Sequence, residues 1–124
     1  MVQYLRQKFA TQIAEGRFEL IESDILKADL AQWGPAPIAG NLPYYITSPI
    51  LEKVFATGPV WTQAVFLVQA EVATRICAGP GSRDYGYLSV LVQAQAKPER
   101  VCEVPAAAFR PPPKVESEIG RAHV

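Results

Sequence analysis

In Pro37-Ile38-Ala39-Gly40-Asn41-Leu42-Pro43-Tyr44, an apolar run ends at an Asn-x-Pro-aromatic tetrapeptide. The run predicts a short buried strand over Ile38–Gly40. Ser48 is expected to cap the following helix, with Pro49 at its first helical position. A strand that turns directly into a helix is typical of α/β proteins, in which ligands bind at the carboxyl ends of the strands.

The spacing of apolar residues predicts the remaining elements. In chain order these are a helix from Tyr4 to about Gly16, a strand over Phe18–Glu22 closed by Asp24, a helix from Ser48 to Gly58, a strand over Ala64–Val68, a helix over Glu71–Ala78, a loop over Gly79–Asp84, a helix over Tyr87–Ala96, a strand over Val101–Val104, a Pro-rich loop over Phe109–Lys114 and a strand from Val115 onward. The segment Tyr87–Ala96 also fits a strand, but its length favours a helix. The alternation implies a mostly parallel sheet with Asp24, Asn41 and Gln69 at strand ends, where they would share one cleft.

Composition excludes several classes of protein. The chain has 124 residues, 49% of them hydrophobic and 19% charged, which suits one soluble globular domain. Zero net charge argues weakly against a free-standing nucleic-acid binder, although a local basic patch is compatible with it. Cys77 and Cys102 form no CxxC pattern, so reduced thiols in the cytoplasm are expected. With His123 as the sole histidine, we expect no metal site, and we expect neither a membrane span nor a signal peptide.

The tetrapeptide suits one particular chemistry. The exocyclic amine of adenine is a poor nucleophile because its lone pair is delocalised into the ring. The Asn41 side-chain oxygen and the Leu42 carbonyl can accept hydrogen bonds from that amine, while Pro43 fixes the backbone angle. Tyr44 offers an aromatic face for a base extruded from its helix. The alternative is an ordinary strand-to-helix turn, and for Asp24 a turn cap, because these residue types are common in turns.

Three blocks together, Asn41–Leu51, Tyr85–Val90 and Phe109–Ser117, closely resemble the ribosomal RNA adenine dimethyltransferases of the KsgA/RsmA type. The resemblance runs from about Tyr4 to Ser117. It implies a Rossmann-like α/β methyltransferase fold with S-adenosylmethionine as cofactor. It also implies a cytoplasmic enzyme, expected to be a monomer, that dimethylates two adjacent adenosines of small-subunit ribosomal RNA in immature subunits.

The resemblance also assigns roles to individual residues. Asp24 matches an acidic residue that binds the adenine amine of the cofactor, and Ile25 follows it against the adenine ring. The catalytic residues would be Asn41, Leu42, Pro43 and Tyr44, with Asn41 also beside the cofactor. Phe109 matches an aromatic that closes on the target base opposite Tyr44, although a core anchor is the alternative. Arg83 and Lys114 are candidate phosphate contacts, and solvated surface charge explains each of them equally well.

The chain departs from the family pattern at both ends. A Gly-rich loop, a ribose-binding acid, the first two strands and a C-terminal helical domain have no counterpart in the sequence. We therefore expect residues 1–118 to be a partial catalytic domain that is inactive in isolation. Residues 119–124, Ile-Gly-Arg-Ala-His-Val, replace an expected apolar strand and match one reading frame of a common sequencing adaptor. They are predicted to be a non-native tail.

Three other interpretations remain at the level of sequence. DNA adenine methyltransferases use a related Asn-Pro-Pro-aromatic motif, but Leu42 and the Phe109–Ser117 block disfavour that class. Antibiotic-resistance methyltransferases of large-subunit RNA share that block, yet tend toward Ile and Phe in the tetrapeptide. The third interpretation is a non-enzymatic fragment, at most a weak RNA-contacting module.

Overall fold

The computed structural model describes residues 1–56, 60–110 and 117–123. Its elements are α1 (Val2–Lys8), α2 (Ala10–Ala14), β1 (Ala36–Asn41), α3 (Thr47–Ala56), β2 (Trp61–Gln69), α4 (Ala70–Cys77), α5 (Tyr87–Gln93), β3 (Lys97–Val104) and β4 (Ser117–His123), with 3-10 turns at Leu30–Trp33, Tyr44–Ile46 and Ala106–Ala108. The predicted helix over Tyr87–Ala96 is confirmed in type, as are the strands that became β1, β2 and β3.

The four strands form one mixed sheet in the order β1-β2-β4-β3. Strands β1 and β2 are parallel, and β4 runs antiparallel to both β2 and β3. Strand β3 therefore runs in the same direction as β1 and β2. The carboxyl ends of these three strands and the beginning of β4 consequently meet at one edge. We call this edge, which carries Asn41, Gln69, Val104 and Ser117, the carboxyl edge.

Helix α3 supplies much of the hydrophobic core on one face of the sheet. Its predicted apolar positions are all buried, namely Ile50, Leu51, Val54 and Phe55. Trp61 packs edge-on against Phe55 with ring centroids 5.0 Å apart, and its indole nitrogen donates to the Val54 carbonyl at 3.0 Å. Burial of this apolar surface is the main stabilisation of the packing between helix and sheet, and the Trp61 contacts join α3 directly to β2.

The opposite face of the sheet is less covered. Val65 and Leu67 of β2 are only partly buried, and Val101 of β3 remains 51% exposed. Neither α1 nor α2 contains a buried residue. Between the two helices lies Phe9, whose ring stacks on that of Phe18 with the centroids 5.0 Å apart.

The predicted strand over Phe18–Glu22 is wrong. These residues have no regular secondary structure, and Ile21 is 46% exposed. A strand requires a neighbour for its backbone hydrogen bonds. The sheet described here has its edge at β1, so that segment has no partner strand. Its Glu19 side chain instead accepts a hydrogen bond from the Trp33 indole at 3.1 Å.

Two predicted helix boundaries also need correction. The opening helix is interrupted at Phe9, whose backbone angles of −108° and 22° leave the helical region. Ser48 is not the N-cap of α3, because the 3-10 turn at Tyr44–Ile46 leads directly into the helix and Thr47 is already helical. Pro49 is tolerated there because the first turn of a helix has no internal acceptor for its backbone nitrogen. The predicted helix end at Gly58 lies outside the described residues.

Strand β3 begins four residues earlier than predicted, at Lys97, and includes Pro98. A proline fits there because β3 is an edge strand. The predicted last strand is present as β4, while its expected start at Val115 lies outside the described residues. Ile119 and Ala122, from the segment predicted to be non-native, pair with Leu67 and Ala64 of β2.

Candidate functional site

Asn41 is the last residue of β1 and lies exposed at the carboxyl edge, paired with Leu67 of β2. The pairing continues for one more residue, because the Leu42 backbone nitrogen donates to the Leu67 carbonyl at 3.2 Å. The Leu42 side chain is buried in the core at 7% exposure. Within residues 1–56, 60–110 and 117–123, neither the Asn41 side chain nor the Leu42 carbonyl has a hydrogen-bond partner. Asn41 is exposed, so its side chain is available to a ligand, and the Leu42 carbonyl follows it without a partner among the described residues.

The backbone after Leu42 is fixed by a compact turn. Pro43 has angles of −60° and 129°, and its carbonyl accepts a hydrogen bond from the Ile46 nitrogen at 3.2 Å. The hydroxyl of Thr47, a residue only 3% exposed, donates to the same carbonyl at 3.1 Å. Because a buried threonine holds the turn from within, the backbone of Tyr44 is placed by the core of the protein.

The Tyr44 ring is half-buried, and its hydroxyl is hydrogen-bonded to the hydroxyl of Ser117. Ser117 is the first residue of β4 and is completely buried. It pairs with Gln69 of β2 on one side and with Val104 of β3 on the other. Sequence reasoning did not single out Ser117. Its one signal was its place at the end of the Phe109–Ser117 block.

Phe109 lies in the connection between β3 and β4, just after the 3-10 turn at Ala106–Ala108, and is half-buried. Its backbone nitrogen donates to the Ala106 carbonyl at 3.2 Å. Since β3 ends and β4 begins at the carboxyl edge, the connection brings Phe109 to the same edge of the sheet as Tyr44. Lys114 lies outside the described residues.

Asp24 caps a turn. Its carboxylate accepts a hydrogen bond from the Leu26 nitrogen at 2.9 Å, and its carbonyl accepts one from Lys27 at 2.9 Å. This is the turn-capping alternative raised by the sequence. The turn is joined to α3 because the Lys53 ammonium donates to the Leu26 carbonyl at 2.9 Å. Ile25 is 38% exposed beside it, so an apolar surface and a carboxylate are adjacent on this turn.

Arg83 belongs to a separate polar cleft, which also contains Ser48, Arg75, Tyr85 and Tyr87. Arg75 is paired with Glu71 at 2.6 Å, whereas Arg83 forms no ion pair with any residue of the described ranges. The cleft reaches α3 through Ser48. No described contact joins Arg83 to the tetrapeptide.

Within the described part of the chain, no three His, Cys, Asp or Glu side chains are grouped closely enough to hold a metal ion. Among the same residues, no helix is long and apolar enough to span a membrane.

Comparison with known proteins identifies the family. The model of the ribosomal RNA adenine dimethylase family matches residues 1–121. A ribosomal RNA small subunit methyltransferase A from Thermosynechococcus vestitus is 44% identical over 120 residues, covering 93% of this chain and 44% of the relative. Its counterpart in Synechococcus sp. strain JA-3-3Ab is 46% identical over 121 residues, covering 94% of this chain and 42% of the relative. The chain thus spans less than half the length of these relatives.

Solved structures agree on the fold. A dimethyladenosine transferase from Plasmodium falciparum superposes with a TM-score of 0.83 at 30% identity, covering 98% of this chain and 43% of the other. The 23S rRNA methyltransferase ErmE superposes with a TM-score of 0.82 at 28% identity, covering 98% of this chain and 47% of the other. The predicted Rossmann-like methyltransferase fold is confirmed, and the chain belongs to the ribosomal RNA adenine dimethylase family.

Proposed function

We propose that the full encoded protein transfers methyl groups from S-adenosylmethionine to the exocyclic amines of adenosines in small-subunit ribosomal RNA. One observation carries the proposal. At the carboxyl edge, the exposed Asn41 side chain and the Leu42 carbonyl are adjacent acceptors without a partner among the described residues, and Tyr44 follows in the same turn with its hydroxyl bonded to Ser117. The reduced cysteines and the RNA substrate suit a cytoplasmic protein, and we expect a monomer.

The residues present fit the adenine end of the cofactor. The Asp24 carboxylate uses one oxygen for the Leu26 nitrogen, and its other oxygen can accept from an adenine amine. The exposed side chain of Ile25 provides an apolar surface for the ring. Bound S-adenosylmethionine would supply an electrophilic methyl group on a sulfonium.

The chain's own contribution is positioning and polarisation. The Asn41 oxygen and the Leu42 carbonyl would accept the two N–H bonds of the target amine, which concentrates electron density on its nitrogen. Held in this way, the nitrogen would accept the methyl group of a bound cofactor, the electron pair of the carbon-sulfur bond would stay on sulfur, and the amine proton would pass to water. Asn41 acts as an orienting acceptor and not as a base. Preorganised acceptors of this kind lower the barrier without reorganising during the reaction.

Small-subunit RNA is proposed as the substrate because the 42–46% identical relatives are named for that activity. The second candidate is large-subunit RNA, favoured by the superposition on ErmE. The hydroxyl of Tyr44 argues against it, since that hydroxyl bonds Ser117 and the phenylalanine typical of the resistance class would leave Ser117 without this partner.

Methyl transfer to purified RNA particles tests the proposal. The full encoded protein would be incubated with methyl-labelled S-adenosylmethionine and either immature small subunits or naked large-subunit RNA, and digested nucleosides would be separated. We expect label in N6-methylated adenosine from small subunits. Label confined to large-subunit RNA would establish the second candidate instead.

The isolated 124-residue chain is expected to be inactive, because the sequence carries no Gly-rich loop and no ribose-binding acid of the family type. Calorimetric titration of this chain with S-adenosylmethionine, with a circular dichroism spectrum, tests the expectation. Micromolar binding by a folded chain would show that Asp24 and the Asn41 turn suffice for a cofactor site.

A further inference from the structure

A single hydrogen bond connects the base-binding residue Tyr44 to the last strand of the sheet. It joins the Tyr44 hydroxyl to the hydroxyl of Ser117, 73 residues further along the chain. Ser117 is fully buried, and a buried hydroxyl requires a partner. Backbone pairing with both Gln69 and Val104 fixes Ser117 from two sides. The hydroxyl of Ser117 is therefore a rigid anchor at the carboxyl edge.

Tyr44 needs such an anchor. Thr47 holds the backbone of the turn, but rotation of the Tyr44 side chain about its own bonds is not restricted by that contact. The hydrogen bond to Ser117 restrains the ring at its far end. A ring held at both ends has a fixed long axis, and stacking is productive only when the ring is positioned so that the base lies at the correct height for the methyl donor.

We propose that Ser117 is a positioning residue that orients the Tyr44 ring for stacking on the target adenine. The role rests on the proposed function, because it presumes that Tyr44 stacks on a flipped base. Ser117 itself does not contact the substrate. Its effect reaches the reaction only through the tyrosine hydroxyl, so removing either hydroxyl should have the same consequence.

A double-mutant cycle in the full encoded protein tests this role. Ser117→Ala and Tyr44→Phe each remove one hydroxyl and retain the remaining side chain. We expect each variant to lower kcat by about tenfold or more, since misplacement of a reacting group by about 1 Å can cost about a hundredfold. Affinity for S-adenosylmethionine should stay within about twofold, because Ser117 acts through Tyr44 on the placement of the base and not on the cofactor. The double variant should be no slower than either single variant.

A matched control separates positioning from stability. Ser89 is also fully buried, and its hydroxyl bonds the Arg75 carbonyl and the Gly86 nitrogen in the α4–α5 region. Ser89→Ala should therefore destabilise the fold about as much as Ser117→Ala while leaving kcat unchanged in folded protein. Ser117→Thr retains the hydroxyl and should recover part of the kcat lost in Ser117→Ala.

Fluorescence of 2-aminopurine at the target position reports stacking directly. Stacking quenches this base, so RNA bound to the Ser117→Ala variant should be brighter than RNA bound to the unmodified protein. Equal kcat and equal fluorescence for the Ser117→Ala variant and the unmodified protein would overturn the positioning role. So would a double variant whose loss of kcat equals the product of the two single losses.

Chemical denaturation distinguishes failure of this role from failure of the proposed function. The same cycle should show coupling between Ser117 and Tyr44 in unfolding free energy without any RNA present. If the coupling is found but the unmodified protein transfers no methyl group, the proposed function is refuted and the positioning role with it. If the protein methylates RNA but coupling is absent, the contact and the positioning role are refuted while the proposed function stands.

Discussion

Gly40 precedes Asn41 in β1 and allows close packing beneath the candidate site. A Cβ atom added there would lie 2.9 Å from the Leu42 Cδ2 methyl and 3.1 Å from Cδ1 of Phe66. Ordinary contact begins at about 3.4 Å, so the Leu42 methyl must move by about 0.5 Å. Leu42 and Phe66 are both buried, which leaves little room for that movement. Overpacking of this kind costs about 1–3 kcal/mol in unfolding free energy, a sizeable part of the usual 5–15 kcal/mol.

Gly40→Ala is therefore predicted to lower the urea midpoint and to lower methyl transfer, because displacement of Leu42 moves the carbonyl proposed to accept from the amine. Gly79→Ala is the matched control, since a Cβ at Gly79 meets nothing within 4 Å. The Leu42→Val substitution removes the clashing methyl. Gly40→Ala should therefore cost less in the Leu42→Val background than in the unmodified protein. Equal urea midpoints for Gly40→Ala and Gly79→Ala would refute the reasoning.

Three further results are expected. Asn41→Ala should abolish turnover while largely sparing calorimetric affinity for S-adenosylmethionine, and a comparable loss of binding would contradict its assigned role. Arg100→Ala should lower the unfolding free energy measured in urea by about 2 kcal/mol, because Arg100 Nε lies 2.8 Å from the buried carboxylate of Glu118. As the control, breaking the exposed Arg75–Glu71 ion pair of α4 should lower it by about 0.5 kcal/mol or less. Burial raises the pKa of Cys77, with Arg100 lowering it and Glu118 raising it, so less reactive thiolate is present at pH 8. Iodoacetamide should label exposed Cys102 first, and labelling of Cys77 should accelerate only when the pH exceeds the pKa of an ordinary thiol. Equal labelling rates of the two cysteines at pH 8 would contradict this.

Helices and strands that pack or pair with other elements of this chain could be predicted from the sequence. Strand β2 was recognisable because Ala64–Val68 is an unbroken apolar run, as expected of a strand with apolar side chains on both faces, although Val65 and Leu67 are only partly buried in the described structure. The apolar face of α3 was recognisable from its helical spacing. By contrast, Phe18–Glu22 carries a strand-like pattern but no strand, because local pattern does not report whether a pairing neighbour exists.

The candidate site was predictable only in part. Asn41 and Tyr44 were singled out because a strand end and a motif coincide there, and the structure places Asn41 at the end of β1 while the roles of both residues stay predictions. Ser117 was missed because its role depends on a contact across 73 residues, and no local spacing encodes that. The requirement for glycine at position 40 was also missed. A glycine in a strand signals close approach, but the approaching atoms of Leu42 and Phe66 become known only in three dimensions.

A crystal structure of the full encoded protein with S-adenosylhomocysteine and a short adenosine-containing RNA tests the central claim most directly. We predict the amine nitrogen of one flipped adenine within hydrogen-bond distance of the Asn41 side-chain oxygen and the Leu42 carbonyl. Its ring should lie between Tyr44 and Phe109, with the Tyr44 hydroxyl still bonded to Ser117. An adenine bound elsewhere, or one whose amine faces away from Asn41, would contradict the account.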